Sequence, residues 1–156
     1  MDALPALAAF LAMVFAAAST GGIFRPDDWY RGLAKPGWTP KDWVFPVVWS
    51  LLYLAIAVAS WLVWREAGWS GIAAYAALTL NLLLNAGWSW VFFGLKRIRL
   101  ALWEAGALWL STALLLAVYA AYSPLAAGLI APYLVWVSVA FALNLSILRR
   151  NPAAAR

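Results

Sequence analysis

The sequence contains no cysteine and no histidine. Disulfides and thiolate chemistry are excluded, and the commonest ligands of zinc, copper and haem iron are missing. Carboxylates number only six, so neither a dedicated metal site nor a resident cofactor is expected. Ser–His–Asp and Cys–His sets cannot be assembled, and no glycine-rich phosphate loop is visible. Hydrolytic and phosphoryl-transfer chemistry therefore has little to stand on. Charge of either sign is scarce, at 11% of residues against 67% hydrophobic. Soluble domains carry about 25% charged and 45–50% apolar residues. A 156-residue chain exposes too much of itself to hide that apolar excess internally. Composition thus makes this a membrane protein, and any ligand must be held by aromatic faces, amides, hydroxyls and shape.

A helix crosses the hydrocarbon with about 20 apolar residues. Five runs qualify, at about 4–24, 43–64, 72–94, 100–122 and 125–148. The last two are divided by Ser123-Pro124, a turn signal that also suits a helix start. The expected fold is all-α: one domain over 1–150 with five transmembrane helices, then a disordered tail at 151–156. Met1-Asp2 supplies no basic n-region, so the first run reads as a retained span rather than a secretory signal. Arg65 stands alone on one side of this topology. The other side holds Arg25, Arg31, Lys35, Lys41, Lys96, Arg97, Arg99, Arg149, Arg150 and Arg156. The positive-inside rule places that basic side in the cytoplasm and the N-terminus outside. Anionic lipid headgroups account for the net charge of +5 without nucleic acid.

Tryptophan is abundant, with twelve residues. Trp61, Trp64 and Trp69 flank the end of the second run, where indoles settle at headgroup level. Trp103 and Trp109 suit lipid or neighbouring helices. Phe45, Trp49 and Tyr53 recur every four residues and form one aromatic stripe. Trp136 follows Pro132 by four, with Ala140 leaving room on the same face. Close helix packing and a ligand cavity both explain Trp49 and Trp136. Asn81, Asn85 and Trp88 share a face of the third span, and an amide in hydrocarbon must find a partner in protein or in a polar-tipped ligand. Asn144 carries the same ambiguity. Glu104, near Lys96, Arg97 and Arg99, reads as an ion-paired or snorkelling carboxylate. Ala8, Ala12 and Ala16, and Ala73 and Ala77, form the small-residue faces that let helices approach closely. The connection RPDDWYRGLAKPGWTPKD is long and proline-stiffened, as binding loops and lids often are, and an aspartate there suits a helix N-cap.

WYRGLAKPGWTPKDWVFPVVWSLLY, NLLLNAGWSWVFFG and SPLAAGLIAPYLVWVSVAFALN, in this order, resemble the translocator protein family, called TspO in bacteria and the peripheral benzodiazepine receptor in animals. The resemblance covers about residues 20–150. It implies a five-helix bundle, a homodimer, and a pocket covered by the first long loop that takes porphyrins such as protoporphyrin IX. Trp49, Asn85, Trp88, Trp136 and Ala140 match the family's pocket positions. Trp29, Tyr30 and Trp38 match its covering loop. Two departures are visible: Lys41 stands where members often carry a second proline, and Leu145 replaces the tyrosine of a proposed cholesterol motif in animal members.

The expectation is a membrane receptor or regulator that binds porphyrin without metal, with Lys35 and Lys41 meeting propionates at the mouth. A light- and oxygen-dependent porphyrin breakdown, in which Trp49 and Trp136 are catalytic, is the enzymatic alternative. Passive passage of porphyrin or lipid is a third. The bacterial cell membrane, or the mitochondrial outer membrane in a eukaryote, is the expected location.

Overall fold

The structure is a computed structural model and describes residues 3–154. Six α-helices form: α1 (Ala3–Ile23), α2 (Asp28–Gly32), α3 (Val44–Ala67), α4 (Ile72–Ser89), α5 (Ile98–Ala120) and α6 (Pro124–Arg150). With short 3-10 and π extensions, five segments are long and apolar enough to cross a membrane: Ala3–Ile23, Val44–Ser70, Ile72–Gly94, Ile98–Ala120 and Pro124–Arg150. The all-helical, five-span fold read from the sequence is the fold observed.

Local chemistry sets the ends. Gly68, at φ +56, stops α3 in a left-handed conformation and donates its N–H to the Trp64 carbonyl, a backbone state glycine adopts without steric cost. Ser123 caps α6 by accepting from the Ala126 N–H, with Pro124 in the first turn. α4 ends in a π-helical segment, Trp90–Gly94, in which Leu95 N–H reaches the Trp90 carbonyl. Lys96 follows at φ 57 and turns back toward the first connection. A Cβ on Gly94 would lie 3.0 Å from the Phe24 ring and 3.1 Å from Trp90, so the missing side chain allows α1's end to pack there.

The spanning helices make a closed ring. α1 packs on α3 and α4, α3 on α6, α6 on α5, and α5 on α4. At the end bearing Arg65 the ring is solid, with Ile56, Val63, Leu78, Leu115, Tyr119 and Ile130 wholly buried. Tyr119 and Ser60 share a hydrogen bond of 2.7 Å inside it. Trp64 belongs to this protein core rather than to the lipid interface, because α3 runs a turn beyond it. Trp69 is exposed and packs on Trp64, Phe10 and Tyr75. Trp103 is 76% exposed, on the lipid face, whereas Trp109 donates to Ser138 Oγ. Ala8, Ala12 and Ala16 lie exposed along α1, while Ala77 is buried.

At the basic end the connection between α1 and α3 crosses the bundle. Asp27 caps α2 through the Tyr30 N–H at 3.2 Å and accepts from Lys96 Nζ at 2.7 Å. The lysine hydrogen bond, then the Tyr30 amide, hold the Asp27 carboxyl below its ordinary value. Asn151, just past α6, accepts from Ala34 N–H and donates to Ala34 C=O, both at 2.9 Å. Of the expected disordered tail, residues 155 and 156 lie outside the described residues; Pro152–Ala154 make a single 3-10 turn.

Candidate functional site

The basic half of the ring is hollow. A cavity of about 740 Å³ lies between the helices, within the 300–1,000 Å³ typical of small-molecule sites. α3 supplies Phe45, Trp49 and Tyr53 to its wall, α4 supplies Asn85 and Trp88, and α6 supplies Trp136, Ala140 and Asn144. The fourfold spacing read from the sequence thus does put these rings on one inner face. Phe45 meets Trp136 edge-on at 5.7 Å, Trp49 meets Tyr133 at 6.0 Å, and Trp88 stacks on Phe92 at 4.9 Å.

Not every candidate reaches the cavity. Tyr30 lines it, but Trp29 packs edge-on against Phe92 and Trp38 is 53% exposed; neither contributes to the wall. Asn81 is wholly buried one turn further in, bonded to protein. Its Nδ2 donates to Ser111 Oγ at 3.0 Å and Thr112 Oγ1 at 2.9 Å, and its Oδ1 accepts from Tyr133 at 3.0 Å. Asn85 continues the chain, donating to Tyr133 Oη at 3.1 Å and accepting from Tyr53. This network joins α3, α4, α5 and α6 and forms the floor between the hollow and solid halves. The ambiguity of the amide face resolves differently at its two ends: Asn81 holds helices together, whereas Asn85 also shows a face to the cavity.

The mouth differs from expectation. Lys35 and Lys41 are absent from the wall; Arg25 and Arg31 line it, with Asp42. Lys35 turns away because its Nζ donates to the Tyr30 and Leu33 carbonyls at 2.6 and 3.1 Å and sits over the Tyr30 ring. The exposed parts of the wall include Gly21, Gly22, Pro46 and Ser50, so the cavity opens between the end of α1 and the first turns of α3. Burial of the Tyr30 ring raises the pKa of its hydroxyl above the ordinary value, keeping it neutral.

Glu104 makes none of the ion pairs expected of it. Lys96 is taken by Asp27 instead, and Glu104 points at α4, where its Oε1 would lie 2.8 Å from a Cβ on Gly87. The sequence reading left Asn144 open between an interhelical bond and a ligand; the structure places it in the wall. Both atoms of its amide are buried without a partner, as is Trp136 Nε1, and both residues line the cavity. An unsatisfied buried polar group costs about 1–3 kcal/mol.

The residue types fit stacking of a flat conjugated ligand between indoles, with polar contacts at its edges. Among the described residues no cluster of carboxylates, histidines or cysteines has the makings of a metal site.

Comparison with known proteins places this geometry. The profile of the TspO/MBR family matches residues 8–150. The chain is 38% identical to the tryptophan-rich sensory protein of Cereibacter sphaeroides, over 91% of this chain and 89% of that one. It is 36% identical to protein CrtK of Rhodobacter capsulatus, over 87% and 86% of the two chains. With the translocator protein of Homo sapiens the identity is 38%, over 79% and 75%. The hollow ring of five spanning helices described above therefore has a family: this chain is an integral membrane protein belonging to the TspO/MBR family.

Proposed function

We propose that this protein is a membrane sensory or translocator protein whose ligand is a tetrapyrrole of the protoporphyrin IX class, held in the hollow half of the ring. The observation that carries the reading is the wall itself: Phe45, Trp49, Tyr53, Trp88 and Trp136 around one cavity of about 740 Å³. Flat conjugated rings stack on such side chains, each contact adding about 0.5–1.5 kcal/mol beyond area burial. Arg25 and Arg31 at the mouth meet the propionates. The names of the relatives, sensory protein and translocator protein, agree with a role in sensing or moving a ligand rather than in bulk catalysis.

In this reading the connection between α1 and α3 is a lid, tied down by Asn151 and Lys96, and the basic end faces the cytoplasm. A chain with no histidine or cysteine lacks the commonest axial ligands of haem iron, so metal-free porphyrin is preferred to haem. The test is a titration of the reconstituted protein with protoporphyrin IX, followed by quenching of tryptophan fluorescence. Saturable binding that weakens in Trp136→Ala supports the proposal. Equal quenching in both proteins, without saturation, means that porphyrin only dissolves in the lipid.

A further inference from the structure

The wall contains one complete hydrogen-bonding side chain with nothing to bond. Asn144 is 1% exposed, and neither its Nδ2 nor its Oδ1 has a partner. Trp136 Nε1 is likewise unpartnered, whereas several other polar groups of the wall are engaged. Tyr53 and Asn85 belong to the floor network. Ser50 bonds the Pro46 carbonyl, Arg25 the Gly22 carbonyl, and Arg31 pairs with Asp28. Trp136, Ala140 and Asn144 all line the cavity from one face of α6, spanning about 12 Å along its axis at 1.5 Å per residue.

A primary amide offers a donor and an acceptor side by side in one plane. Its complement is an N–H beside a C=O, the edge of a lactam. An ionised carboxylate is a poor substitute, because it satisfies Nδ2 but sets its charge against Oδ1. The cations of the wall, Arg25 and Arg31, come from the first connection and not from α6. Carboxylates and the neutral edge of a ligand are thereby directed to different places.

Resting on the tetrapyrrole reading above, we propose that Asn144 is a polar subsite that selects conjugated ligands carrying a lactam edge, such as open-chain tetrapyrroles, over closed porphyrins that lack one. Asn144 pairs with the lactam, and Trp136 Nε1 donates to a second acceptor on the same ligand.

The experiment compares two probes, biliverdin, which carries terminal lactams, and protoporphyrin IX, which carries the propionates alone. Each is titrated into reconstituted wild type, Asn144→Leu and Asn144→Asp. Loss of a paired amide in a dry site is expected to weaken biliverdin roughly tenfold in both variants and protoporphyrin IX by no more than about twofold. In the ligand-free protein, Asn144→Leu is expected to raise the thermal midpoint, since it removes a buried amide without a partner. An unchanged biliverdin affinity overturns the proposal. So does an equal loss for both probes, which makes Asn144 a packing residue, or a lowered midpoint in Asn144→Leu, which means that its amide is satisfied within the protein. Wild type that takes protoporphyrin IX but not biliverdin overturns the subsite and leaves the cavity reading standing. Wild type that takes neither overturns both.

Discussion

Asn151 and Ala34, 117 positions apart in sequence, exchange a reciprocal pair of hydrogen bonds: the side-chain amide of one takes both backbone groups of the other, each at 2.9 Å. A third bond, from Asn151 Nδ2 to the Ile147 carbonyl at 2.8 Å, ties the same amide to the end of α6. The first connection is thus clipped to the last helix by one short side chain, at the end where the cavity opens.

Removing the clip is expected to loosen the connection without unfolding the bundle. Asn151→Ala loses the two exposed bonds to Ala34 and the bond to Ile147, each worth about 0.5–1.5 kcal/mol. Amide hydrogen exchange at Ala34 should accelerate roughly tenfold or more, while α5 and α6 stay protected. If the connection is a lid over a ligand, the dissociation rate rises with it. Unchanged exchange at Ala34 would mean that the proline-stiffened chain holds this shape by itself.

Asp27 fastens the other end and does two things at once. Its carboxylate pairs with Lys96 and caps α2, and these contacts hold its pKa below the ordinary value. A depressed carboxyl contributes stability that is fully present above its unfolded value, about 3.9, and is lost as pH falls through the lower folded value. Order in the connection should therefore be flat from neutral pH down to about 5 and fail below about 4. Asp27→Asn separates the two jobs. Asparagine caps as well as aspartate, so the Tyr30 amide stays protected while the salt sensitivity of the connection disappears. Asp27→Ala should lose both.

Asn81 and Asn85 illustrate what sequence can and cannot say about this protein. Runs of about 20 apolar residues reveal five spans because a bilayer imposes that length, and every end falls within about two residues of the observed one except that of the second span, which runs on to Ser70. Fourfold spacing identified the aromatic stripe of α3 because a regular helix makes it inevitable. The same spacing put Asn81 and Asn85 on one face, but only the neighbours on α5 and α6 decide that one amide is consumed by Ser111, Thr112 and Tyr133 while the other borders empty space. The π turn at Trp90–Gly94 left no signal, since those residues suit an α-helix equally well, and the turn of Lys96 toward Asp27 went unseen with it. Asn144 is the reverse case: its residue type was noticed, but an unfilled hydrogen-bonding capacity is a property of surroundings and not of sequence.

The two amides should consequently behave differently on substitution. Asn81→Leu breaks the centre of the network and is expected to cost roughly 1–2 kcal/mol of stability, with little change in porphyrin affinity. Tyr53→Phe removes a hydroxyl at the cavity floor, frees one acceptor on Asn85, and should change ligand affinity more than thermal stability. Thermal midpoints and fluorescence titrations on the same preparations check both. A Tyr53→Phe protein that is strongly destabilised yet binds normally would reverse the assignment.

Trp49 and Trp136 bound the cavity from two neighbouring helices, α3 and α6, and their replacement tests what the indoles do. Trp49→Phe and Trp136→Phe each keep an aromatic face but reduce its area, so porphyrin affinity should fall about three- to tenfold in each. Trp49 contacts Tyr53 and Tyr133, and Trp136 contacts Phe45. Because both indoles stack on the same ligand in this reading, the double variant is expected to lose less than the sum of the two. Illumination of the bound porphyrin in air adds an independent reading. A pure binder bleaches its ligand at one rate in all four proteins once occupancy is matched. Conversion to a discrete product in wild type, abolished in either single variant, would assign the indoles to photo-oxidative chemistry and make this protein an enzyme.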